Sequence, residues 1–501
     1  MALKAQIFRG SALLTLNEIV GNLCTLIRNF VLARILTKSD FGIAATLTVV
    51  ISLLEISGRM AFGQQLVRAK DGEHRDYVGT AHFAQFSFGV LSAALILILA
   101  NSFARVLKVP ELAWAIKAMA LIPVSSALTS LEPFTYSRRM RFGPSVAVEL
   151  IPQVVITLAA YPLAIWLRDF RALVWLLVGK AFLSLAISHL VSARFYQWTM
   201  RLDYFWAMIR FGCPLLMESL LMFGALQGDR LLIASSFSLS ELGGYAVAGT
   251  LAATPVIALW KVVGGVGLPV LAEVQDDRAK FEARFAPVAQ GLALAAGLFG
   301  LMMLLGGDYI MVVLFGQKYK GTGAILACLS CAQSIRMIRG APILAATALG
   351  ETICLPIMSA TRLSGLLLAV LVVWRGGSLL LVAWSAIAGE VLAVTTGLLL
   401  LYRLCKVPLR ICLLPIAFIA AVLGGAAWFK AEFRSVSSPL FWSVAIGVCW
   451  LGLAAAFAGI FTETRVALMS LLRLLQERWR GGLQLVKKKS DADAIKPDVI
   501  A

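Results

Sequence analysis

Hydrophobic residues run along the chain in long blocks, each about long enough to cross a lipid bilayer as a helix. A spanning helix needs about 20 largely apolar residues at about 1.5 Å each. Windows of that size predict fourteen spans, near 11–35, 41–66, 79–103, 112–135, 145–167, 172–195, 209–235, 242–270, 286–309, 321–345, 350–373, 378–402, 411–429 and 440–461. The polar stretches between the spans are short, so the pattern predicts no inserted soluble domain.

Composition supports the same class. Of the 501 residues 60% are hydrophobic and 14% are charged, whereas an ordinary soluble domain has roughly 25% charged residues. These values exclude a soluble, collagen-like or disordered protein. We therefore predict an all-α polytopic membrane protein with about 14 transmembrane helices.

The basic residues predict the orientation in the membrane. The formal net charge is +18, which in a soluble protein would suggest nucleic acid but in a membrane protein reflects the positive-inside rule. With the N-terminus inside, nineteen basic residues fall in cytoplasmic segments before the C-terminal tail, and twelve fall on the opposite side. We expect both termini in the cytoplasm.

An internal repeat divides the chain. Glu18 and Asn29 of the first span recur as Glu218 and Asp229 of the seventh, and Ser-Asp-Phe-Gly at 39–42 matches Ser-Glu-Leu-Gly at 240–243. An even number of spans separates the copies, so the repeat predicts two parallel six-helix lobes. The expected domains are an N-terminal lobe (1–200, spans 1–6), a C-terminal lobe (201–403, spans 7–12), two extra helices (404–462, spans 13 and 14) and a cytoplasmic amphipathic helix with a disordered tail (463–501).

The first span carries a polar stripe that includes two of the chain's four asparagines. Its members, on one helix face, are Glu18, Asn22, Thr25 and Asn29. The seventh span repeats the pattern with Glu218 and Asp229. Because polar groups facing lipid are unfavourable, the stripe must contact protein or water. Two interpretations stay open at this point: hydrogen bonding between helices and the lining of a polar cavity.

Several basic residues also fall at membrane depth. The candidates for cavity cations are Arg28, Arg59, Lys261, Arg362 and Arg230. A charge at the helix centre costs about 2.5–3.5 kcal/mol, so we expect these side chains to face a cavity that could hold a polyanion such as a pyrophosphate. Glu18 and Glu218, one in each lobe, either pair with neighbouring arginines or couple lobe movement to proton binding.

The opening of the chain resembles a known family. Phe-Arg-Gly-Ser at 8–11, the polar stripe, and Val-Leu-Ala-Arg-Ile-Leu-Thr-Lys-Ser-Asp-Phe-Gly at 31–42 are similar to the Wzx-type polysaccharide flippases of the multidrug/oligosaccharidyl-lipid/polysaccharide exporter superfamily. The resemblance extends over about residues 1–460. It implies two lobes around a cationic cavity, which by alternating access carry an undecaprenyl-pyrophosphate-linked glycan across the bacterial inner membrane for exopolysaccharide, O-antigen or capsule synthesis.

The expected partners are the lipid-linked oligosaccharide, membrane lipids, and a polysaccharide polymerase with its chain-length machinery, without nucleic acid. We expect no cofactor, metal or enzymatic activity, since the histidines are scattered and no Gly-x-x-x-x-Gly-Lys-Ser/Thr loop is present. Two alternatives remain: an ion-coupled drug or cation antiporter of the same superfamily, and a membrane glycan polymerase or ligase. The first would need an acidic cavity, and the second a sizeable external loop.

Overall fold

A computed structural model describes residues 2–54, 62–69, 71–106, 109–138, 141–193, 197–351, 353–433 and 439–461. Within these ranges every regular element is helical, which confirms the all-α class. The helices are α1 (Ala2–Ile35), α2 (Lys38–Leu54), α3 (Phe62–Arg68), α4 (Arg75–Val106), α5 (Ala113–Ala118), α6 (Leu121–Leu128), α7 (Glu132–Arg138), α8 (Gly143–Leu167), α9 (Arg171–Leu190), α10 (Leu202–Ser236), α11 (Leu239–Ala272), α12 (Arg278–Phe315), α13 (Gly323–Ala348), α14 (Cys354–Arg362), α15 (Ser364–Trp374), α16 (Leu379–Arg403), α17 (Arg410–Glu432) and α18 (Pro439–Ile460).

Each predicted span overlaps at least one helix. Ten helical segments of the described residues are long and apolar enough to cross a membrane, so the chain is a multi-pass membrane protein and the count of fourteen stays a prediction. Two short 3-10 helices, Pro110–Leu112 and Gln317–Tyr319, precede α5 and α13. The expected C-terminal amphipathic helix lies outside the described residues.

Contacts divide the chain into two compact units. The first contains Met1–Val262, Gly306–Ile335 and Pro356–Thr396, and the second contains Val263–Leu305, Arg336–Leu355 and Gly397–Ala501. The predicted division at residues 200 and 403 follows the repeat instead and stays a prediction.

The second unit packs α17 and α18 against α12. Its core includes Leu301, Ile419 and Phe457. Two polar side chains donate to carbonyl oxygens of α12: Trp450 Nε1 to Leu298 at 2.8 Å and Lys430 Nζ to Leu304 at 2.7 Å. Apolar packing and these two bonds therefore fix both C-terminal helices to α12.

The fourth predicted span is interrupted rather than continuous. The helix stops after α6 and resumes at α7, and the break exposes backbone groups that hydrocarbon could not bond. Gln85 Nε2 of α4 donates to the carbonyl oxygens of Ser126 and Thr129 at 2.8 and 2.9 Å. His82 Nε2 accepts the Leu131 N–H at 3.0 Å. Side chains of α4 thus stabilise the break.

The segment between the two predicted repeat copies is held against α4. Thr199 Oγ1 donates to the Asp76 carbonyl oxygen at 3.3 Å, and the Arg201 N–H donates to Thr80 Oγ1 at 3.2 Å. A Cβ on Gly79 would overlap Thr199 Oγ1. The glycine therefore permits a close approach of this segment.

Helices α2 and α11 begin with the same local structure. Thr37 Oγ1 accepts the Asp40 N–H at 3.1 Å while the Asp40 carboxylate accepts the Thr37 N–H at 3.1 Å. Ser238 and Glu241 repeat this arrangement 201 residues later, with distances of 3.3 and 3.0 Å. Such reciprocal capping satisfies N–H groups that a helix start leaves unbonded. The predicted repeat therefore has a matching structural element in each copy.

The first turns of α2 and α11 cross in direct backbone contact. A Cβ on Gly42 would overlap the Leu239 carbonyl oxygen, and a Cβ on Gly243 would overlap the Lys38 carbonyl oxygen. The four residues are two pairs of repeat equivalents, so the contact is symmetric. Small residues let membrane helices approach in this way.

We predict that Gly243→Ala weakens this crossing. The added methyl group must push the backbones apart, and overpacking of this kind typically costs about 1–3 kcal/mol. Gly264→Ala is the matched control because a Cβ at that position of α11 meets no atom within 4 Å. Thermal unfolding of the purified protein should show a lower midpoint for Gly243→Ala than for Gly264→Ala; equal midpoints would contradict the crossing.

Candidate functional site

The polar stripe of the first span lies on α1. Glu18, Asn22 and Asn29 are half-buried, so none of them is fully exposed toward lipid. Arg59 lies outside the described residues, and for Glu218 and Lys261 the structure describes the helical backbone alone. The site is therefore built from α1, α10 and the helices that contact them.

One flank of the α1 stripe bonds to α8. Asn17 Nδ2 donates to Glu149 Oε2 at 2.8 Å, and Gln153 Nε2 donates to Thr25 Oγ1 at 2.7 Å. Thr157 Oγ1 donates to the Cys24 carbonyl oxygen at 3.3 Å. Thr25 therefore takes part in hydrogen bonding between helices, the first of the two interpretations.

The α8 side of this interface was not predicted from the sequence. Glu149, Gln153 and Thr157 lie four residues apart, which places them on one helix face. This spacing is visible in the sequence and would have indicated a polar face on α8. The polar positions of α1 and α8 form a ladder that holds the two helices in register.

Arg28 differs from these bonded residues. Its side chain is half-buried, and its Nη1 atom is covered yet has no hydrogen-bond partner among the described residues. An unbonded buried N–H group is unfavourable. A guanidinium matches the oxygen geometry of phosphate. Arg28 thus keeps hydrogen-bonding capacity that a phosphate-bearing ligand could use in another arrangement of the helices.

Asp229 and Arg230 lie together on α10, where the repeat places the counterpart of Asn29. Tyr245 of α11 is buried and its hydroxyl donates to Asp229 Oδ2 at 2.6 Å. Arg230 Nη1 donates to Gln227 Oε1 at 3.4 Å. Sequence reasoning missed Tyr245, although it follows the repeated motif directly. The carboxylate of Asp229 is therefore oriented by α11.

Arg362 forms a buried ion pair. Its Nε lies 2.8 Å from Glu390 Oε1, and the two side chains are 15% and 2% exposed. The pair lies where the predicted eleventh span breaks, between α14 and α15. Gly365 and Gly389 bring α15 and α16 together there: a Cβ on Gly389 would lie 2.8 Å from the Gly365 Cα. Glu390 thus balances the charge of Arg362, and a contribution of Arg362 to the cavity stays a prediction.

No group of three or more His, Cys, Asp or Glu side chains in the described ranges is placed to hold a metal ion. The chemistry that these residues offer is charge and hydrogen bonding: a guanidinium with unused capacity, an oriented carboxylate and a half-buried polar stripe. Such groups can bind an anion and respond to a proton.

Sequence comparisons connect the chain to polysaccharide biosynthesis proteins. Residues 31–323 match a family described as "Polysaccharide biosynthesis protein". The succinoglycan biosynthesis transport protein ExoT of Rhizobium meliloti (strain 1021) is 24% identical over 311 residues, covering 61% of this chain and 62% of that protein. The lipopolysaccharide biosynthesis protein WzxC of Escherichia coli (strain K12) is 23% identical over 328 residues, covering 64% and 65%. The match thus spans less than two thirds of either relative.

Two solved structures show the same fold. The lipid II flippase MurJ in an inward closed conformation has a TM-score of 0.71 and 13% identity, covering 92% of this chain and all of that chain. An inward-facing multidrug resistance transporter of the MATE family in the MOP superfamily has a TM-score of 0.61 and 13% identity, covering 81% and 96%. The fold expected from the resemblance is confirmed.

The Arg362–Glu390 pair generates a prediction about stability. Arg362→Ala leaves a buried carboxylate without this partner, and breaking a buried pair from one side typically costs about 3–5 kcal/mol. Replacing both residues, as Arg362→Met with Glu390→Leu, should recover most of the loss. Arg375→Ala, at an exposed arginine just after α15, is the control. Unfolding midpoints should rank control, double variant, single variant; a single variant as stable as the control would contradict the pair.

Proposed function

Because this chain belongs to the polysaccharide biosynthesis protein family, we propose that it is a flippase for an undecaprenyl-pyrophosphate-linked oligosaccharide. It carries this lipid from the cytoplasmic to the periplasmic leaflet of a bacterial inner membrane, with both termini in the cytoplasm. The glycan is an exopolysaccharide, O-antigen or capsule unit. The protein transports without a catalytic step. Two relatives whose names refer to succinoglycan transport and lipopolysaccharide biosynthesis support this function.

The covered, unbonded N–H group of Arg28 is the observation that carries the proposal. A pyrophosphate must lose its water when it enters the membrane, and charge-assisted bonds to a guanidinium offset that loss. Arg28 has a covered N–H group that no described residue uses, whereas Arg362 is already balanced by Glu390. Arg28 is therefore the first binding group, with Arg230, Lys261 and Arg59 as further cations.

The cycle follows from two lobes, 1–200 and 201–403, that open alternately to each leaflet. The pyrophosphate binds the cations, and the polar stripe with Glu18, Asn22 and Asn29 contacts hydroxyl groups of the glycan. The lipid tail stays in the hydrocarbon. On the periplasmic side, a polymerase and its chain-length machinery consume the product, which favours release.

We predict that Arg28→Ala lowers flipping at least about tenfold, since one charge-assisted bond is worth about 1.5–3 kcal/mol. Arg28→Lys should be milder because it keeps the charge but loses the planar fork. Arg375→Ala again serves as the exposed control. The measurement is the rate at which a short fluorescent undecaprenyl-pyrophosphate oligosaccharide crosses proteoliposome membranes. An Arg28→Ala rate equal to that of the control would reject Arg28 as the binding group.

Coupling to protons is the second part of the proposal. Glu18 is half-buried on α1, and Glu218 is its repeat equivalent on α10. A carboxylate that is protonated in one arrangement of the lobes and ionised in the other biases the equilibrium between them. The repeat equivalent of Asn29 is Asp229, which Tyr245 orients. At this position the C-terminal lobe has an acidic side chain, whereas the N-terminal lobe has a neutral amide.

Substituting Glu18→Gln or Glu218→Gln should preserve substrate binding but remove the response of transport to an imposed pH gradient. The amide keeps the size and hydrogen bonding of the carboxyl group but cannot exchange a proton. Flipping in vesicles with and without a gradient measures the response, and Glu111→Gln, between spans, is the control. A normal gradient response in both variants would assign these residues a structural role.

A further inference from the structure

The carboxyl-terminal ends of α1 and α12 exchange hydrogen bonds. Arg34 Nη2, at the end of α1, donates to the Val313 carbonyl oxygen of α12 at 3.5 Å. Lys318 Nζ, just after α12, donates to the carbonyl oxygens of Arg34, at 3.0 Å, and of Leu36. Each helix therefore supplies a cation to the carbonyl end of the other.

The two cations counteract an electrostatic repulsion between the helix ends. The carboxyl-terminal end of a helix carries unbonded carbonyl groups and a partial negative charge, so two such ends repel when they meet. A cation at each end reverses the sign of the interaction. Partial burial lowers the pKa of Lys318, and the nearby Asp40 carboxylate opposes that shift. Arg34 and Lys318 thus favour the approach of two helix ends that also meet through the rings of Phe30 and Phe315.

The conformation of the turn after α12 positions Lys318 beside the end of α1. Gly316 and Gly321 adopt φ values of +96° and +87°, which residues with a Cβ rarely adopt. Tyr319 is fully buried between them. Lys38 and Lys318 lie 5.3 and 5.7 Å from the centre of its ring, within the range of cation–π attraction.

The bonds of Arg34 and Lys318 are of a kind that water can replace. Both side chains remain partly exposed to solvent, so their cations and the carbonyl groups can be hydrated when they separate. Exposed ionic contacts contribute little net free energy for the same reason. By contrast, Lys430 donates to α12 from a part-buried position. The α1–α12 contact is thus suited to form and break within a transport cycle.

We propose that Arg34 and Lys318 form a latch, the reciprocal pair of cations that holds the predicted external ends of α1 and α12 closed and releases them when the protein opens outward. The latch rests on the alternating movement of the proposed function. Its test uses no substrate, so a failure of the latch and a failure of flipping are distinguishable.

Hydrogen exchange followed by mass spectrometry tests the latch on the full chain in lipid nanodiscs. Lys318→Met keeps the aliphatic stem and removes the donor, and Arg34→Met does the same on the other side. Lys320→Met is the matched control, since Lys320 is exposed two residues further on and only its backbone N–H, which the substitution keeps, has a described bond. Lys318→Arg restores a donor.

Both latch variants should speed exchange up to about fivefold in peptides covering 30–41 and 313–324, the equivalent of about 1 kcal/mol in the opening equilibrium. Exchange should also rise at 238–246, where α11 crosses α2 and neither cation has a described bond. Lys320→Met, Lys318→Arg and the 197–210 peptide should remain at the wild-type rate.

Two results would overturn the latch. Lys318→Met and Lys320→Met could give the same exchange, which would mean that the donor does not hold the ends together. Alternatively, exchange could rise at 30–41 and 313–324 but not at 238–246, which would make the contact a fixed local cap. Increases at all three segments in both variants support the latch.

Discussion

Hydrocarbon offers no hydrogen bonds, so a polar group that this chain places in the membrane needs a partner from the protein, from water or from a ligand. The interruption between α6 and α7 exists because Gln85 and His82 bond the backbone groups that it exposes. The polar face of α1 is tolerated because α8 presents Gln153 to it. Interrupted helices and polar stripes are consequently found where another helix carries the complementary groups.

Local patterns were predictable from the sequence. The apolar blocks locate the helices because length and hydropathy are properties of a single segment. The matching residues around Asp40 and Glu241 also locate equivalent helix starts, since a capping box closes within four residues. The same holds for the stripe of α1, whose face follows from helical spacing alone.

Pairing between helices was not predictable in this way. Arg362 meets Glu390 of the next span, and Tyr245 of α11 meets Asp229 of α10, because packing fixes how each helix is rotated about its axis. Hydropathy windows average over ten or more residues, so they also miss the break at Leu363. The net charge of a site therefore depends on tertiary contacts, and a buried arginine alone does not identify a ligand group.

The crossing of Gly42 and Gly243 has the geometry of an isologous interface, in which each partner presents the same patch to the other. Gly42 meets the carbonyl oxygen of Leu239, and Gly243 meets that of Lys38. Lys38 and Leu239 are themselves repeat equivalents. At this crossing, two copies of one short sequence pattern face each other across a local two-fold axis. A glycine is needed on both sides of that axis, because the approach that each one permits is the same.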